Sequence, residues 1–333
     1  MRQHLLVVLL ALLLAIAAIA SLGLGRVDIP FVRVIEILAS PWVEPPVPVS
    51  PMEWSVVAIV RLPRIAMSIL AGAGLSLAGA TLQGVFRNPL VGPQVVGVSA
   101  GAAFGGTLAI LAGWQYLGLL GPAFAFGLSA LLLVYTLSTA VSKSDILVLV
   151  LGGVIVSGFF GALVSLMQFL ADSQDKLPVM VFWLLGSFAT ANADKAWLLA
   201  APVLSCGAGL LMLRWRINIL SMGDEDARAL GVPVAALRWV VLLLTAMIVS
   251  AQVAVSGMIG WVGLVVPHLA RMLAGADHRR LMPVSALLGG LFLLMVDNVA
   301  RTTTAAEIPL GILTALIGTP VFAVLLWRNR RNA

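Results

Sequence analysis

The sequence predicts an all-α membrane protein, a single transmembrane domain built as a polytopic bundle of ten membrane-crossing helices. Of its 333 residues, 61% are hydrophobic and only 10% are charged, whereas soluble domains carry about 25% charged residues. Several apolar runs reach the roughly 20 residues that a helix needs to cross the hydrocarbon core. None of these runs shows the alternating pattern of a barrel strand.

Ten apolar runs are the candidate spans. They fall near residues 5–25, 65–85, 95–113, 117–141, 146–170, 196–213, 239–257, 258–273, 283–300 and 309–327. As one helix, residues 239–270 would be about 48 Å long, too long for one crossing, so we expect a break within 256–263. Residues 177–191 are too short to cross and include Pro178, so we expect a re-entrant or interfacial helix there.

The first run can also be read as a secretory signal peptide, because AIA precedes Ser21 as a cleavage signal. A signal core is about 7–15 residues long, whereas this run extends over 5–24, so a span is favoured. The lone cysteine, Cys206, excludes an intramolecular disulfide.

Basic residues orient the predicted spans. Ten crossings return both termini to one side, and basic residues mark that side as cytoplasmic: Arg2, Arg328, Arg330 and Arg331. The net charge of +6 is scattered between spans, which favours a topology signal over a nucleic-acid surface. Residues 26–60 then form a long periplasmic loop, and prolines between 41 and 51 are expected to keep it extended and out of helix.

Small residues recur every four positions in the second and third predicted spans. The two stripes are Gly72, Ser76, Ala80 and Gly84, and then Gly97, Gly101, Gly105, Ala109 and Gly113. Side chains four residues apart share one helix face, so each stripe predicts a flat surface against which another helix packs closely. We therefore expect both helices to lie inside the bundle.

A short charged segment, SMGDEDARALGV at 221–232, lies in the predicted cytoplasmic loop 214–236. It predicts a helix of about nine residues, with Ser221 as the N-cap and Gly231 as the terminator. Acids occupy the first turns, where the helix dipole favours them. Such a helix is marginal by itself, so it is either a solvated connector or a docking helix for a soluble partner. The predicted segment comprises Ser221, Met222, Gly223, Asp224, Glu225, Asp226, Ala227, Arg228, Ala229, Leu230 and Gly231.

Five sequence blocks resemble one protein family. They are RLPR (61–64), GAGLSLAGATLQGVFRNPLVGPQVVGVSAGAAFG (72–105), MGDEDARALGV (222–232), GLVVPHLARMLAGADHRRLMPVSALLGG (263–290) and VDNVARTTTAAEIPLGILTALIGTPVF (296–322). They are similar to the permease subunits of ATP-binding-cassette (ABC) importers for ferric siderophores, haem and cobalamin, which have the type II importer fold. The resemblance implies import of an iron chelate by alternating access, a ferric siderophore above haem or cobalamin.

The same resemblance implies an assembly in the bacterial inner membrane. It contains a homodimer or paired permease, two cytoplasmic ATPase subunits and a periplasmic substrate-binding protein. Residues 221–231 match the coupling helix that seats in the ATPase, and ATP and magnesium belong to that partner, with no cofactor in this chain. The residues agree, because Lys143, Lys176 and Lys195 follow Ser, Asp and Asp, not the glycine-rich loop that holds phosphates. We expect a membrane subunit without hydrolytic activity.

Three arginines are the candidate contacts to the binding protein. By resemblance, Arg61, Arg64 and Arg301 form outer-face pockets that receive acidic residues, a role that fits the planar guanidinium. Asp297 lies one turn before Arg301 and is expected to engage part of its charge. Without the resemblance, arginines beside apolar spans are typical anchors at the lipid headgroups.

The resemblance also assigns the translocation pathway to the fifth span and the short helix after it. Candidate wall residues are small or mildly polar: Gly152, Gly153, Ser157, Gly161, Ser165 and Gln168. Positions 157, 161 and 165 share one helix face. The alternative for each residue is ordinary helix packing.

Two other function classes are less well supported. An ion-coupled secondary transporter usually places ionisable groups near the bilayer midplane, and the predicted spans hold none at mid-depth. A metal role for His268 and His278 is disfavoured, because only Asp277 lies at ligand spacing. Within the resembled family, Gly92 favours a ferric siderophore, since haem and cobalamin permeases more often carry an acidic residue at this place.

Overall fold

The computed structural model describes residues 2–25, 27, 29–114, 117–141, 146–304 and 306–331. Within these ranges the chain forms helices joined by turns and loops, with no strand, which confirms the predicted all-α class. The side chains that determine the predicted orientation of the termini lie outside the described part: Arg2, Arg328, Arg330 and Arg331. That orientation stays a prediction.

The described residues form α-helices in the following order along the chain. They are α1 (Arg2–Gly23), α2 (Phe31–Ala39), α3 (Pro51–Trp54), α4 (Leu62–Val85), α5 (Val98–Leu111), α6 (Leu117–Val141), α7 (Ile146–Leu170), α8 (Lys176–Leu184), α9 (Ala193–Leu220), α10 (Asp224–Ala229), α11 (Val234–Ser256), α12 (Val262–Ala274), α13 (His278–Thr302) and α14 (Leu310–Arg331). A π-helical turn, Ser55–Arg61, joins α3 to α4, and a 3-10 turn, Pro93–Val96, precedes α5.

Seven helices in the described ranges are long and apolar enough to cross a membrane: α1, the continuous helix Pro51–Val85, α6, α7, α9, α11 and α13. Three shorter apolar helices, α5, α12 and Leu310–Leu325 of α14, coincide with the remaining predicted runs. The chain is therefore a polytopic helical bundle with a helix at each predicted position. The count of ten crossings stays a prediction, because the three shorter helices fall below the length of an ordinary span.

The predicted break between α11 and α12 is confirmed. α11 ends at Ser256 and α12 begins at Val262, with Gly257 at φ 71° between them. Glycine is needed at 257, because an added Cβ would overlap the carbonyl oxygen of Trp183 in α8. The nine-residue α8 is the short helix predicted within 177–191, and it lies against this break.

The prediction that residues 26–60 stay extended and out of helix is wrong in two places. α2 occupies Phe31–Ala39, and Pro51 opens a helix that continues through the π-helical turn into α4. Proline lacks only an amide that the first helical turn leaves unpaired, so Pro51 starts this helix instead of preventing it. Arg33 of α2 joins the two helices by an ion pair with Glu53 at 2.8 Å.

α4 lies at the centre of the bundle, packed against α9, α11, α12 and α13. Its predicted stripe explains how closely the helices approach. A Cβ added at Gly72 would overlap the backbone carbonyl of Gly289 in α13, and one added at Gly84 would overlap the His278 ring. Between helices in a bilayer, van der Waals packing of this kind is a main source of association. The expected interior position of α4 is confirmed.

α5 packs on α6 through the middle of its own stripe. Gly101 and Gly105 face backbone carbonyl oxygens of α6, and a Cβ at either position would overlap them. The packing expectation is wrong for Gly113, which has open space around it. Gly113 instead adopts φ 77° just past the last turn of α5, where a left-handed residue ends a helix.

Candidate functional site

The charged segment 221–232 forms a shorter helix than the sequence predicts. Ser221 keeps helical geometry at the end of α9, and its hydroxyl donates to the carbonyl of Asn218 at 2.7 Å. The prediction that Ser221 caps the charged helix is therefore wrong, because Ser221 is the C-cap of α9 and Gly223 is the N-cap of α10. The charged helix, α10, has six residues and follows Gly223, whose φ is 154°.

Both ends of α10 otherwise match the prediction. The three acids at 224–226 fill the first turn, where their charge complements the helix dipole. At the other end Gly231 adopts φ 76°, and the amide of Val232 donates to the carbonyl of Ala227 at 2.9 Å. This Schellman-type ending confirms Gly231 as the terminator.

Asp224 holds α10 against the rest of the chain. One nitrogen of Arg238 donates to both carboxylate oxygens at 3.0 Å, and the Arg238 side chain is only 4% exposed. Arg87 and Arg228 lie 3.8 and 3.9 Å from the same carboxylate. Ala227 is fully buried. Sequence reasoning missed the pairs with Arg87 and Arg238, because both arginines lie beyond the local spacing of one helix.

The rest of α10 and its flanking residues are exposed. Met222 and Leu230 are 65% and 60% exposed, and they lie beside the exposed charges Glu225, Asp226 and Arg228. Large apolar side chains grouped with charges on an open surface are typical of a protein–protein interface. The anchored and the exposed sides of α10 together make it a candidate docking element.

A buried charged cluster lies at the N-terminal end of α4, far from α10. Arg64 donates to both oxygens of Asp297 at 2.8–3.1 Å, and to Glu307 at 2.8 Å. The Arg64 and Asp297 side chains are 8% and 0% exposed. Bidentate pairing of this kind is strong, and each charge depends on its partner, because an isolated buried charge is costly. The 24 residues of α4 place this cluster about 36 Å from the α10 end.

Arg61 and Arg301 bind the end of α1. Arg61 donates to the carbonyl oxygens of residues 22 and 23 at 2.6 and 3.1 Å. Arg301 donates to those of residues 21 and 24 at 2.6 and 2.9 Å. The last carbonyls of a helix lack partners within it, and positive charge is favourable there. The two arginines thus cap α1 at its C-terminal end.

The three predicted docking arginines are therefore at one end of the bundle but are not open to a partner. Taken as whole residues, Arg61, Arg64 and Arg301 are only 5–6% exposed. Carbonyls and carboxylates of the same chain already occupy the guanidinium groups, and the docking role of the three arginines stays a prediction. The hydrogen bonds of Asp297 go to Arg64, and within α13 the partner of Arg301 is Asn298, at 2.6 Å.

The pathway candidates in α7 separate into two groups, of which the first is packed. Gly152 and Gly153 are buried, and a Cβ at Gly153 would overlap the carbonyl oxygen of Val95. Gly152 faces the hydroxyl of Ser138. These contacts contradict a wall role for the two glycines, since no cargo can reach a surface that another helix or turn covers.

The second group lies on an open face of α7. Gly161 has open space around it, and the exposed Ser165 donates to the Gly161 carbonyl at 3.1 Å. Ser157 and Gln168 are half-buried. Four of the six candidates are therefore at least partly exposed, and their pathway role stays a prediction.

A cavity of about 770 Å³ opens beside α8, between the ends of α5, α9 and α11. Its wall includes Phe182 and Trp183, and Lys176 is fixed at its edge by donating to the carbonyl of Leu111 at 2.7 Å. Sequence reasoning missed this cavity, because segments far apart in the chain form it.

A family model described as the FecCD transport family matches residues 13–328. The chain belongs to the FecCD family. The molybdate import system permease protein MolB of Haemophilus influenzae is 49% identical to this FecCD permease, over 97% of the chain and 95% of that protein. The cobalamin import system permease protein BtuC of Halobacterium salinarum is 41% identical, over 81% and 73%. The hemin transport system permease protein HmuU of Yersinia pestis is 39% identical, over 84% and 85%.

Solved structures support the same placement. One, described as an inward-facing conformation of an ABC transporter of metal-chelate type, has 48% sequence identity and a TM-score of 0.87, and covers 97% of this chain and 98% of its own. The PsaBC complex of Streptococcus pneumoniae with Fab has a TM-score of 0.56 at 17% identity, over 88% and 95%, a likeness of fold alone. This FecCD permease is thus a membrane subunit of an ABC importer.

Proposed function

We propose that this FecCD permease moves molybdate across the membrane as part of an ATP-driven importer. The observation that carries the cargo assignment is the 49% identity to MolB over 97% of the chain. Relatives named for cobalamin, iron chelatin and hemin transport reach 39–41% over 81–84%. A permease that shares more of its sequence with one relative retains more of the surfaces that the cargo and its delivery protein contact.

A ferric siderophore is the second candidate, and two observations favour it. The block RNPLVGPQVVGVSAGAAFG at 87–105 resembles ferric-siderophore permeases at Gly92. A permease of Helicobacter pylori named for iron chelatin transport is 41% identical over 81% of the chain. Molybdate is a small oxyanion and a ferric siderophore is a bulky chelate, so a different binding protein is expected to deliver each.

The open face of α7 fits either cargo. Ser157, Gly161 and Ser165 present small, uncharged groups. A pathway conducts when its contacts are weak enough for the cargo to leave, and a wall of this kind binds neither an oxyanion nor a bulky chelate tightly. We therefore propose that paired permeases line a smooth conduit and that the binding protein selects the cargo.

Uptake into proteoliposomes separates the two cargoes. The permease would be reconstituted with its ATPase and binding-protein partners, and supplied with radiolabelled molybdate or with radiolabelled iron bound to a hydroxamate siderophore. We expect ATP-dependent accumulation of molybdate, with no competition from the unlabelled siderophore. Accumulation of the iron chelate alone assigns the second cargo. If neither accumulates while the ATPase is active, the proposal of a transition-metal importer is overturned.

We also propose that α10 is the coupling helix that docks on the separate ATPase. The exposed Met222 and Leu230, next to acidic charge, support this role. Leu230→Asp should weaken co-purification with the ATPase, because it places a charge at an apolar contact. Ala236→Asp is the matched control, since Ala236 is also exposed but lies in α11, outside the proposed coupling segment 221–231. Equal co-purification of the two variants would contradict the docking role.

We also propose that the binding protein docks at Arg61, Arg64 and Arg301, although these arginines already have partners within the chain. Acidic residues of that protein would have to replace Asp297 or the α1 carbonyls as partners of the arginines. The proposal predicts faster amide hydrogen exchange at residues 21–25 when the loaded binding protein docks. Docking with unchanged exchange there would show that the arginines keep their partners within the chain.

A further inference from the structure

We infer that Asp224 is a positioning residue that transmits movement of α10 to the pathway helix α7, through the loop 86–92. The inference rests on the proposed coupling role of α10. The proposed route lies within this chain. It connects α10, which is proposed to contact the ATPase, with the exposed face of α7, which the cargo is proposed to pass.

The first part of the route is a firm anchor. Both carboxylate oxygens of Asp224 accept from one nitrogen of Arg238 at 3.0 Å, and the Arg238 side chain is almost completely buried in α11. Salt screens a buried pair much less than an exposed one. α10 and the start of α11 are therefore expected to move as one body.

The second part is an arginine near the start of the loop 86–92. Arg87 lies 3.8 Å from Asp224, and its backbone adopts φ 51°, which is uncommon outside glycine. The amide of Arg87 donates to the Gly84 carbonyl at 3.3 Å, and the next amide donates to the Gln83 carbonyl at 3.1 Å. Residues held in sparsely populated conformations need surroundings that fix them. The end of α4 thus aims this guanidinium at the first turn of α10.

The third part joins the loop to α7. The loop leads into the 3-10 turn Pro93–Val96, whose backbone lies against α7 so closely that a Cβ at Gly153 would overlap the Val95 carbonyl. A Cβ at Gly97 would lie 3.1 Å from a methyl group of Val156. Closely packed interiors are stiff, so a displacement of this turn is expected to displace α7. The close contact that covers Gly153 is thus the proposed mechanical contact between the 3-10 turn and α7.

An open cavity leaves room for the movement. A space of about 460 Å³ lies between α10 and the start of α7, lined by Arg87, Ile146 and residues 222–226. Glu225 and Asp226 are exposed on this turn. Asp224, which lies next to Arg87, is therefore the acid that connects α10 to the loop 86–92.

The test uses the full complex of permease, ATPase and binding protein in proteoliposomes. It measures how much radiolabelled molybdate, or radiolabelled iron–hydroxamate chelate if that is the cargo accumulated in the uptake assay, is moved per ATP hydrolysed. Asp224→Asn removes the charge at nearly constant shape, and we expect that ratio to fall about fivefold while hydrolysis continues, the size of effect that one ion pair permits. Asp224→Glu should restore most of the ratio. Asp277→Asn is the matched control: Asp277 also pairs with arginines but lies in another loop, and Asn still caps α13.

A second variant keeps the inference open to refutation if Asp224→Asn fails to fold. Arg87→Gln removes only the half-exposed partner in the loop and leaves the Arg238 anchor in place, so it should assemble normally and still lower the ratio. A wild-type ratio in Arg87→Gln overturns the route through the loop, and a wild-type ratio in Asp224→Asn overturns the inference as a whole. If the wild-type complex itself shows no ATP-driven uptake, the proposed function fails instead.

Discussion

At the scale of single residues, this chain buries arginines and gives each a defined set of partners. Arg64 joins residues from α4 and α13 and the loop before α14, although 233 positions separate it from Asp297 in the sequence. Sequence reasoning found the arginines as a group but not their partners, because no local spacing encodes a contact over that distance. The resemblance to permeases identified Arg61, Arg64 and Arg301, and the structure shows that these arginines connect helices of the bundle.

Arg64→Leu should destabilise the fold, because it leaves Asp297 buried without its cation, a loss of about 3–5 kcal/mol. Arg64→Leu combined with Asp297→Leu should recover most of that loss, since the unpaired charge is gone. Thermal unfolding in detergent, followed by tryptophan fluorescence, measures both. Arg279→Leu, which breaks an exposed pair with Asp277, serves as control with an expected loss of about 1 kcal/mol or less. Equal instability of the single and double variants would show that the buried pair is not the cause.

At the scale of elements, hydropathy and small-residue spacing predicted most of the helices, and turn chemistry predicted their ends less well. The apolar run 239–270 is divided into two helices at Gly257, within the predicted break. By contrast, Pro51 opened a helix in a segment expected to be extended, and Ser221 closed α9 instead of opening α10. A proline or serine near a helix end fits either side of the boundary. The neighbouring helix decides which side is used, and the sequence alone does not contain that contact.

Gly72→Ala should separate α4 from α13, because the added methyl would overlap the backbone of Gly289. Overpacking of this kind typically costs about 1–3 kcal/mol. Gly161→Ala is the matched control in α7, since nothing lies within 4 Å of its added methyl, and a gain in helix propensity is expected there. Thermal unfolding of the two variants in the same detergent is the measurement. A Gly72→Ala protein as stable as Gly161→Ala would contradict the close packing of the stripe.

At the scale of the whole molecule, the two ends of the bundle differ in the sign and the exposure of their charged groups. One end carries an exposed, acidic helix anchored by Asp224, and the other carries arginines that are already paired within the chain. The sequence predicted the class, the bundle and the charged helix, because composition and periodicity report burial in a membrane. It did not predict which arginines meet Asp224 or which glycines of α7 are covered, since those contacts depend on how distant helices pack.

The measurement that most directly tests this account is the energy source for uptake by vesicles that contain the permease. With the ATPase and binding protein present, ATP should drive cargo accumulation in the absence of any ion gradient. The permease alone should accumulate nothing under an imposed proton or sodium gradient, since the proposed source of energy is ATP hydrolysis by a separate ATPase. Gradient-driven accumulation by the permease alone would contradict the claim that the work comes from a separate ATPase.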